Sequence, residues 1–423
     1  MDDVLTSMAV FWALMLLTYF LMQNGLSIFN DVAKSMGMFM LEKALGPGID
    51  LVEGRPGSAS KAWIMQGLLW LLAASTLTFE GLWMMHDPLA LHSLSAWGYS
   101  PTSGSLLYAG NYAVLYGGIG MLLIGAGLHI LPRLARTELA SEKNATLVSF
   151  LWTISVLVLV IGAHDSEVLG INIIFMGTVM HVVAFLAIIT NQLLTVSKRQ
   201  GPLAIPGWLI IFGLLADPVA TAAIFVSGSI ETGVGQWLLG HMVGGTFFFA
   251  SAAGIALYAS SSSTGNPLWS KSLAAAVLVG SIATINPMGE VDGRMAADML
   301  GLNFGELHVT SEDNLVAAFL MALATIPIMA LAANVLITLR GGDAFVENAD
   351  SAGTAELNLG ASMLLPLAIG SLFIQSDAFA ATPEFSGLAG TLMLMGIWLI
   401  LVPLSLGAAL HLFPTVKIGR AHV

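Results

Sequence analysis

Apolar runs of about 20 residues recur along the whole chain, each closed by a short polar stretch bearing Gly or Pro. That is the length a helix needs to cross the hydrocarbon core of a bilayer. Eleven spans are read, at approximately 5–30, 61–86, 105–132, 145–163, 169–196, 206–228, 233–260, 268–286, 313–339, 358–376 and 385–414. The expected fold class is all-α, a polytopic membrane helix bundle of about 11 transmembrane helices. Its loops are short because every backbone group in hydrocarbon must find its partner inside the protein. The first run follows the acidic Met1-Asp2-Asp3 and is long enough to span, so it reads as a membrane helix and not as a cleaved leader. Asp31 then caps a predicted short helix from Val32 to Leu45, rich in Met and Phe and stopped by Gly46-Pro47, which reads as lying in the membrane interface.

Composition narrows the class. Of 423 residues, 57% are hydrophobic and 9% charged, and mean hydropathy is +0.85. A soluble domain carries about 25% charged residues, so a water-soluble fold and nucleic-acid binding are both excluded, and the lipid bilayer is the expected partner. The chain has no cysteine, which excludes disulfides, iron–sulfur clusters, c-type haem attachment and thiolate zinc sites. Charge also fixes an expected orientation. Lys34, Lys43, Arg55, Lys61, Arg133, Arg136, Lys143, Lys198, Arg199, Lys271 and Arg340 fall in odd-numbered loops, and only Arg294 falls in an even one. The positive-inside rule puts the odd loops in the cytoplasm and the N-terminus outside, with the chain multi-pass in the plasma membrane. The last seven residues, Lys417 to Val423, read as a translated sequencing adapter, so His422 is not counted as a ligand.

Ionisable residues inside spans are costly and call for a pairing or a function. His181 lies mid-span, Asp217 precedes Pro218, and His241 opens the apolar part of span seven. His181 and Asp217 are candidates for an intramembrane polar path. They would act as a buried pair that offsets the cost of each alone, or as a proton relay. His241 is the candidate metal residue, set against a hydrogen-bonded structural role. Glu80, His86, His164 and Asp165 read as interfacial, and His129 and His411 as snorkelling groups. The 22 Met read as packing.

Two spans end alike: Gly127-Leu128-His129-Ile130-Leu131-Pro132-Arg133 and Ala409-Leu410-His411-Leu412-Phe413-Pro414. Span seven has Gly254-Ile255-Ala256-Leu257-Tyr258 at the comparable place, so spans three, seven and eleven suggest a threefold quasi-repeat.

In and just after span seven, Trp237-Leu238-Leu239-Gly240-His241, Gly254, Tyr258 and Gly265-Asn266-Pro267-Leu268-Trp269-Ser270 resemble helix six of the haem–copper oxidase superfamily subunit I. The resemblance is closest to the C-type cytochrome oxidases and nitric oxide reductases. Ile326-Pro327, Asn334 and Leu339-Arg340-Gly341 resemble helix eight of that group, and the ends of spans three and eleven resemble helices two and ten. The resemblance implies a bundle over 61–416, with span one as an extra N-terminal helix; residues 1–60 thus hold that helix and the interfacial segment, and 417–423 is the adapter-like tail. It implies haem and copper as cofactors, held by six histidines in the family.

Most of those ligands are absent from this sequence. Gly110 or Asn111 stands at the helix-two haem-ligand position, and Leu392 and Leu394 stand where the family has a His-x-His pair. No histidine lies between His241 and His308, where the family's His-His pair would fall, although Asn286-Pro287 lies near that end. Only His241 matches, as the first copper ligand. The expected function is a degenerate, haem-poor oxidase-like subunit of a respiratory electron-transport assembly, with other respiratory subunits as partners. The alternatives are an active oxygen or nitric oxide reductase with substitute ligands, and a proton or solute transporter using His181, Asp217 and His241.

Overall fold

The structure, a computed structural model, describes residues 54, 56–168, 170–227, 241–283, 311–341, 351–374 and 394–415. The span expected at 5–30, the interfacial helix at 32–45, Asn286-Pro287 and the tail at 417–423 lie outside these residues. What is described is a mostly helical membrane protein. Four of its helices are long and apolar enough to cross a bilayer: α1 (Ser58–His86), α2 (Ser103–Ala135), α3 (Glu142–His164) and α4 (Ile173–Ser197).

The first four helices begin where their free backbone N–H groups find an acceptor. Glu142 supplies that acceptor from another helix, its two carboxylate oxygens taking the Gly57 and Ala59 N–H groups at 2.8 and 2.9 Å. In α2, Thr102 and Ser105 form a reciprocal capping box, while Ser141 caps α3 and Asn172 caps α4. A two-residue antiparallel pairing, Glu167–Val168 with Ile171–Asn172, turns the chain between α3 and α4.

The chain continues through α5 (Ile205–Ser227), α6 (241–264), α7 (Lys271–Ala283), α8 (Ser311–Arg340), α9 (Thr354–Ile374) and α10 (394–412). Each span expected after residue 60 falls on one of these ten helices, with its described ends within a few residues. The larger differences are the starts of α6 and α10, where residues 228–240 and 375–393 lie outside the description.

The packing repeats. In the first four helices, α1 packs on α2, both pack on α3, and α2 and α3 pack on α4; α5 to α8 reproduce the same set of neighbours. A third unit opens with α9 on α10. The second helix of each unit is the inner one, and α2, α6 and α10 touch one another. These are the three helices that carry the sequence repeat. The apolar core of α2 is entirely buried, whereas α1 turns Met65, Leu69, Leu72, Phe79 and Trp83 outward, a face suited to lipid tails. Ile64, Leu122 and Ala409 form a small cluster, with Phe413 beside it, that closes α10 back onto α1 and α2.

Two local features recur with the repeat. Each inner helix contains a π-helical segment, Ala113–Ile119, His241–Ala250 and Gly396–Leu401 respectively. Each also meets the backbone of the preceding helix at a glycine. A Cβ on Gly125 would stand 3.1 Å from the Ile64 nitrogen, one on Gly254 2.6 Å from the Pro206 carbonyl oxygen, and one on Gly407 2.8 Å from the Leu357 nitrogen. Small residues at such crossings let membrane helices approach closely.

Because the obstacle at Gly254 is backbone, Gly254→Leu has nowhere to place its side chain. It should destabilise the protein by about 2–3 kcal/mol or prevent folding, by overpacking. Met65→Ala, on the outward face of α1, should stay within about 0.5 kcal/mol of the parent. Thermal unfolding in detergent, followed by tryptophan fluorescence, reads both.

Candidate functional site around His181

His181 sits one-third of the way along α4 and is buried. The indole of Trp152 from α3 lies against its ring, with centroids 4.0 Å apart, and the Tyr116 ring of α2 meets it edge-on at 4.9 Å. The Nδ1 atom is 3.1 Å from the Ser155 hydroxyl oxygen. That hydroxyl donates its one proton to the Trp152 carbonyl at 2.7 Å. Ser155 therefore accepts from His181, which assigns the proton to Nδ1 and leaves Nε2 as the basic nitrogen. Around it, Trp152 donates through Nε1 to the Tyr116 carbonyl at 2.7 Å, and Phe185, Phe247 and Phe248 complete an apolar wall.

Below this site, α1 and α3 are joined by polar side chains. Gln66 donates to the Ser149 hydroxyl at 2.7 Å and accepts from Thr153 at 2.6 Å. Trp63 donates to the Ala145 carbonyl at 2.8 Å. Asn191 of α4 reaches the Ser141 carbonyl at 2.8 Å and the Asn144 side-chain oxygen at 3.1 Å.

Of the three residues singled out from the sequence, His181 alone has a described side chain, and its partner is Ser155. Asp217 lies within α5 beside Pro218, and His241 opens the π-helical segment of α6. The side chains of both lie outside the described residues. His164 of α3 pairs with the Ser105 hydroxyl at 3.2 Å near the edge of the bundle. Tyr99 packs on it, and burial together with the nearby Glu80 carboxylate raises the phenol's pKa. His411 bonds the Ser262 hydroxyl at 3.0 Å and so ties α10 to α6.

Ser155, Trp152 and Tyr116 carried no signal in the sequence that would have joined them to His181. Hydroxyls and aromatics are common in apolar helices, and these lie on two other helices. The spacing Ser149, Thr153 and Ser155 on α3 is the one visible hint.

Haem and copper, implied by the resemblance, can be tested against the residues present. Gly110 is buried, and a Cβ there would stand 2.7 Å from the Thr78 hydroxyl and 3.3 Å from the Thr78 backbone nitrogen. The surface of α2 at the helix-two ligand position is thus already in contact with α1. Leu394, at one of the two opposing ligand positions, is an aliphatic side chain that is 37% exposed. Neither Gly110 nor Leu394 offers a ligand atom; Asn111, the other residue read at the helix-two position, offers only a side-chain amide, and Leu392 lies outside the described residues. Among the described residues, no three His, Asp or Glu side chains gather in a way that could hold a metal ion. No family model matches the chain, and no curated protein matches it.

Ser155→Ala leaves the buried Nδ1–H of His181 without its acceptor and should cost about 1–3 kcal/mol. Adding His181→Phe should recover part of that loss, because the orphaned donor is then gone. Unfolding temperatures of the two single variants and the double variant give the coupling.

Proposed function

We propose that this chain is an integral membrane subunit built on the haem–copper oxidase subunit I plan, one that holds few or no haems and serves as a structural member of a respiratory electron-transport assembly. In this reading it crosses the plasma membrane eleven times with its N-terminus outside. Copper, if present, would rest on His241 with ligands from outside the described residues.

The observation that carries the reading is the contact of Gly110 with Thr78, where the resemblance calls for a haem ligand. A porphyrin ligated from that turn needs an imidazole there, and at Gly110 a Cβ would already stand 2.7 Å from the Thr78 hydroxyl. Support for the oxidase plan comes from the three mutually touching inner helices, which are the helices that carry the sequence resemblance to helices two, six and ten. The charge asymmetry of the loops supports the orientation.

Purified protein, solubilised in mild detergent, should show no Soret band and less than stoichiometric iron and copper by elemental analysis. Stoichiometric haem would defeat the proposal and favour the reductase with substitute ligands. A proton flux into liposomes that Asp217→Asn abolishes would favour the transporter instead.

A further inference from the structure

The helices α2 and α4 end side by side. The Gln200 N–H, just past α4, donates to the Ala135 carbonyl at the end of α2 at 2.9 Å. The Ala140 N–H donates to the Thr195 hydroxyl oxygen in the last turn of α4, also at 2.9 Å. Four cations therefore share this end of the bundle. Arg133 lies in the last turn of α2, Arg136 follows in the left-handed conformation with φ 52°, and Lys198 and Arg199 follow α4. Arg133, Arg136 and Lys198 are exposed. Glu138 is the only acidic residue in 133–140 and 195–204, and Glu142 beyond it is engaged by the N–H groups of Gly57 and Ala59.

Basic residues at helix C-termini ordinarily do no more than complement the free carbonyls there. Arg199 is different. Its guanidinium lies over the Trp208 ring of α5, with Cζ 5.9 Å from the ring centroid. Its Nη1 atom is buried and has no hydrogen-bond partner among the described residues. The ring quadrupole favours the positive charge, but each N–H group of the planar fork still needs an acceptor in line with it. A buried cationic donor without one is costly. The residue as a whole is only half-buried, so an acceptor can reach the guanidinium from outside.

We propose that Arg199 is the centre of a binding site for the phosphate of an anionic lipid, with Lys198 and Arg136 beside it. The guanidinium fork pairs two N–H groups with two phosphate oxygens, and a turn of the side chain brings Nη1 to them. The location favours a lipid over dissolved phosphate. Helix α4 is long and apolar enough to cross a bilayer, and Lys198 and Arg199 directly follow its last turn, at the depth of the lipid phosphates. Val182, Val183 and Leu186 of the same helix face outward, where acyl chains run. Trp208 is a residue type that settles at this boundary. The excess of positive charge selects phosphatidylglycerol over phosphatidylcholine, whose phosphate carries its own cation. The site depends neither on the proposed oxidase plan nor on which side of the membrane this end faces.

The test titrates the full-length protein, in dodecyl maltoside, with dioleoylphosphatidylglycerol and counts bound lipid by native mass spectrometry. One phosphatidylglycerol should bind ahead of the rest, and dioleoylphosphatidylcholine, with the same chains, more weakly. Arg199→Gln should lower the affinity for phosphatidylglycerol about tenfold or more, the loss expected for charge-assisted hydrogen bonds. Arg199→Lys keeps the charge over Trp208 and loses the fork, so it should fold and also bind more weakly. Lys271→Gln, at an exposed residue that begins α7, should bind as the parent does. Unfolding temperatures without added lipid identify the folded variants. Inorganic phosphate at millimolar concentration should leave the phosphatidylglycerol in place. Equal affinity in the parent and Arg199→Gln, or no preference for phosphatidylglycerol, would overturn the proposal. Displacement by inorganic phosphate would overturn it in favour of a soluble phosphate ligand.

Discussion

The bundle depends on how closely its helix backbones approach. Inside a bilayer, burying apolar surface gains little, because lipid tails are as apolar as the side chains they replace; dispersion contacts and hydrogen bonds between helices must supply the association. Dispersion falls steeply with distance, so the nearest crossings count most. Here those crossings are at Gly125, Gly254 and Gly407, where each inner helix touches the backbone of the helix before it. The constraint is selective. It fills the space between first and second helices of each unit, and Gly110 against Thr78 extends that filling to the turn where a ligand to haem is expected by resemblance.

The helices themselves were legible because length in a membrane is set by bilayer thickness. Short polar stretches bearing Gly or Pro then placed the described ends within a few residues, and the Thr102, Ser141 and Asn172 caps that begin three of the helices emerged only from the structure. The threefold relationship was visible only in short matches such as Leu128-His129 and Leu410-His411. Its physical content, a shared set of neighbours and a glycine at each inner crossing, needed coordinates. The π-helical segments were not legible at all. Ala113–Ile119 and His241–Ala250 each hold a Gly-Gly pair, but such a pair does not by itself specify an extra residue in a helical turn, which tertiary packing fixes. The partner of His181 was missed for a related reason. Asp217 was the charged candidate in the sequence, but the serine that receives the imidazole proton is an ordinary residue 26 positions away.

The polar groups between α1, α3 and α4 have a different role from the glycines. A hydrogen bond between membrane helices averages only about 0.6 kcal/mol, because the separated helices find other partners. The Gln66 bridge to Ser149 and Thr153, the Trp63 and Trp152 indoles on backbone carbonyls, and Asn191 on Ser141 thus add modestly to stability. Their geometry does more. Together they sit at several depths of one helix, so rotating or sliding α3 would break them at once. Glu142 adds a fixed point at the end, holding the first turn of α1 through two backbone N–H groups. Glycine contacts set how far apart the helices stand, and directional bonds set how they are turned. With distance and rotation both fixed, His181, Trp152 and Tyr116 are held as one aromatic cluster on three helices.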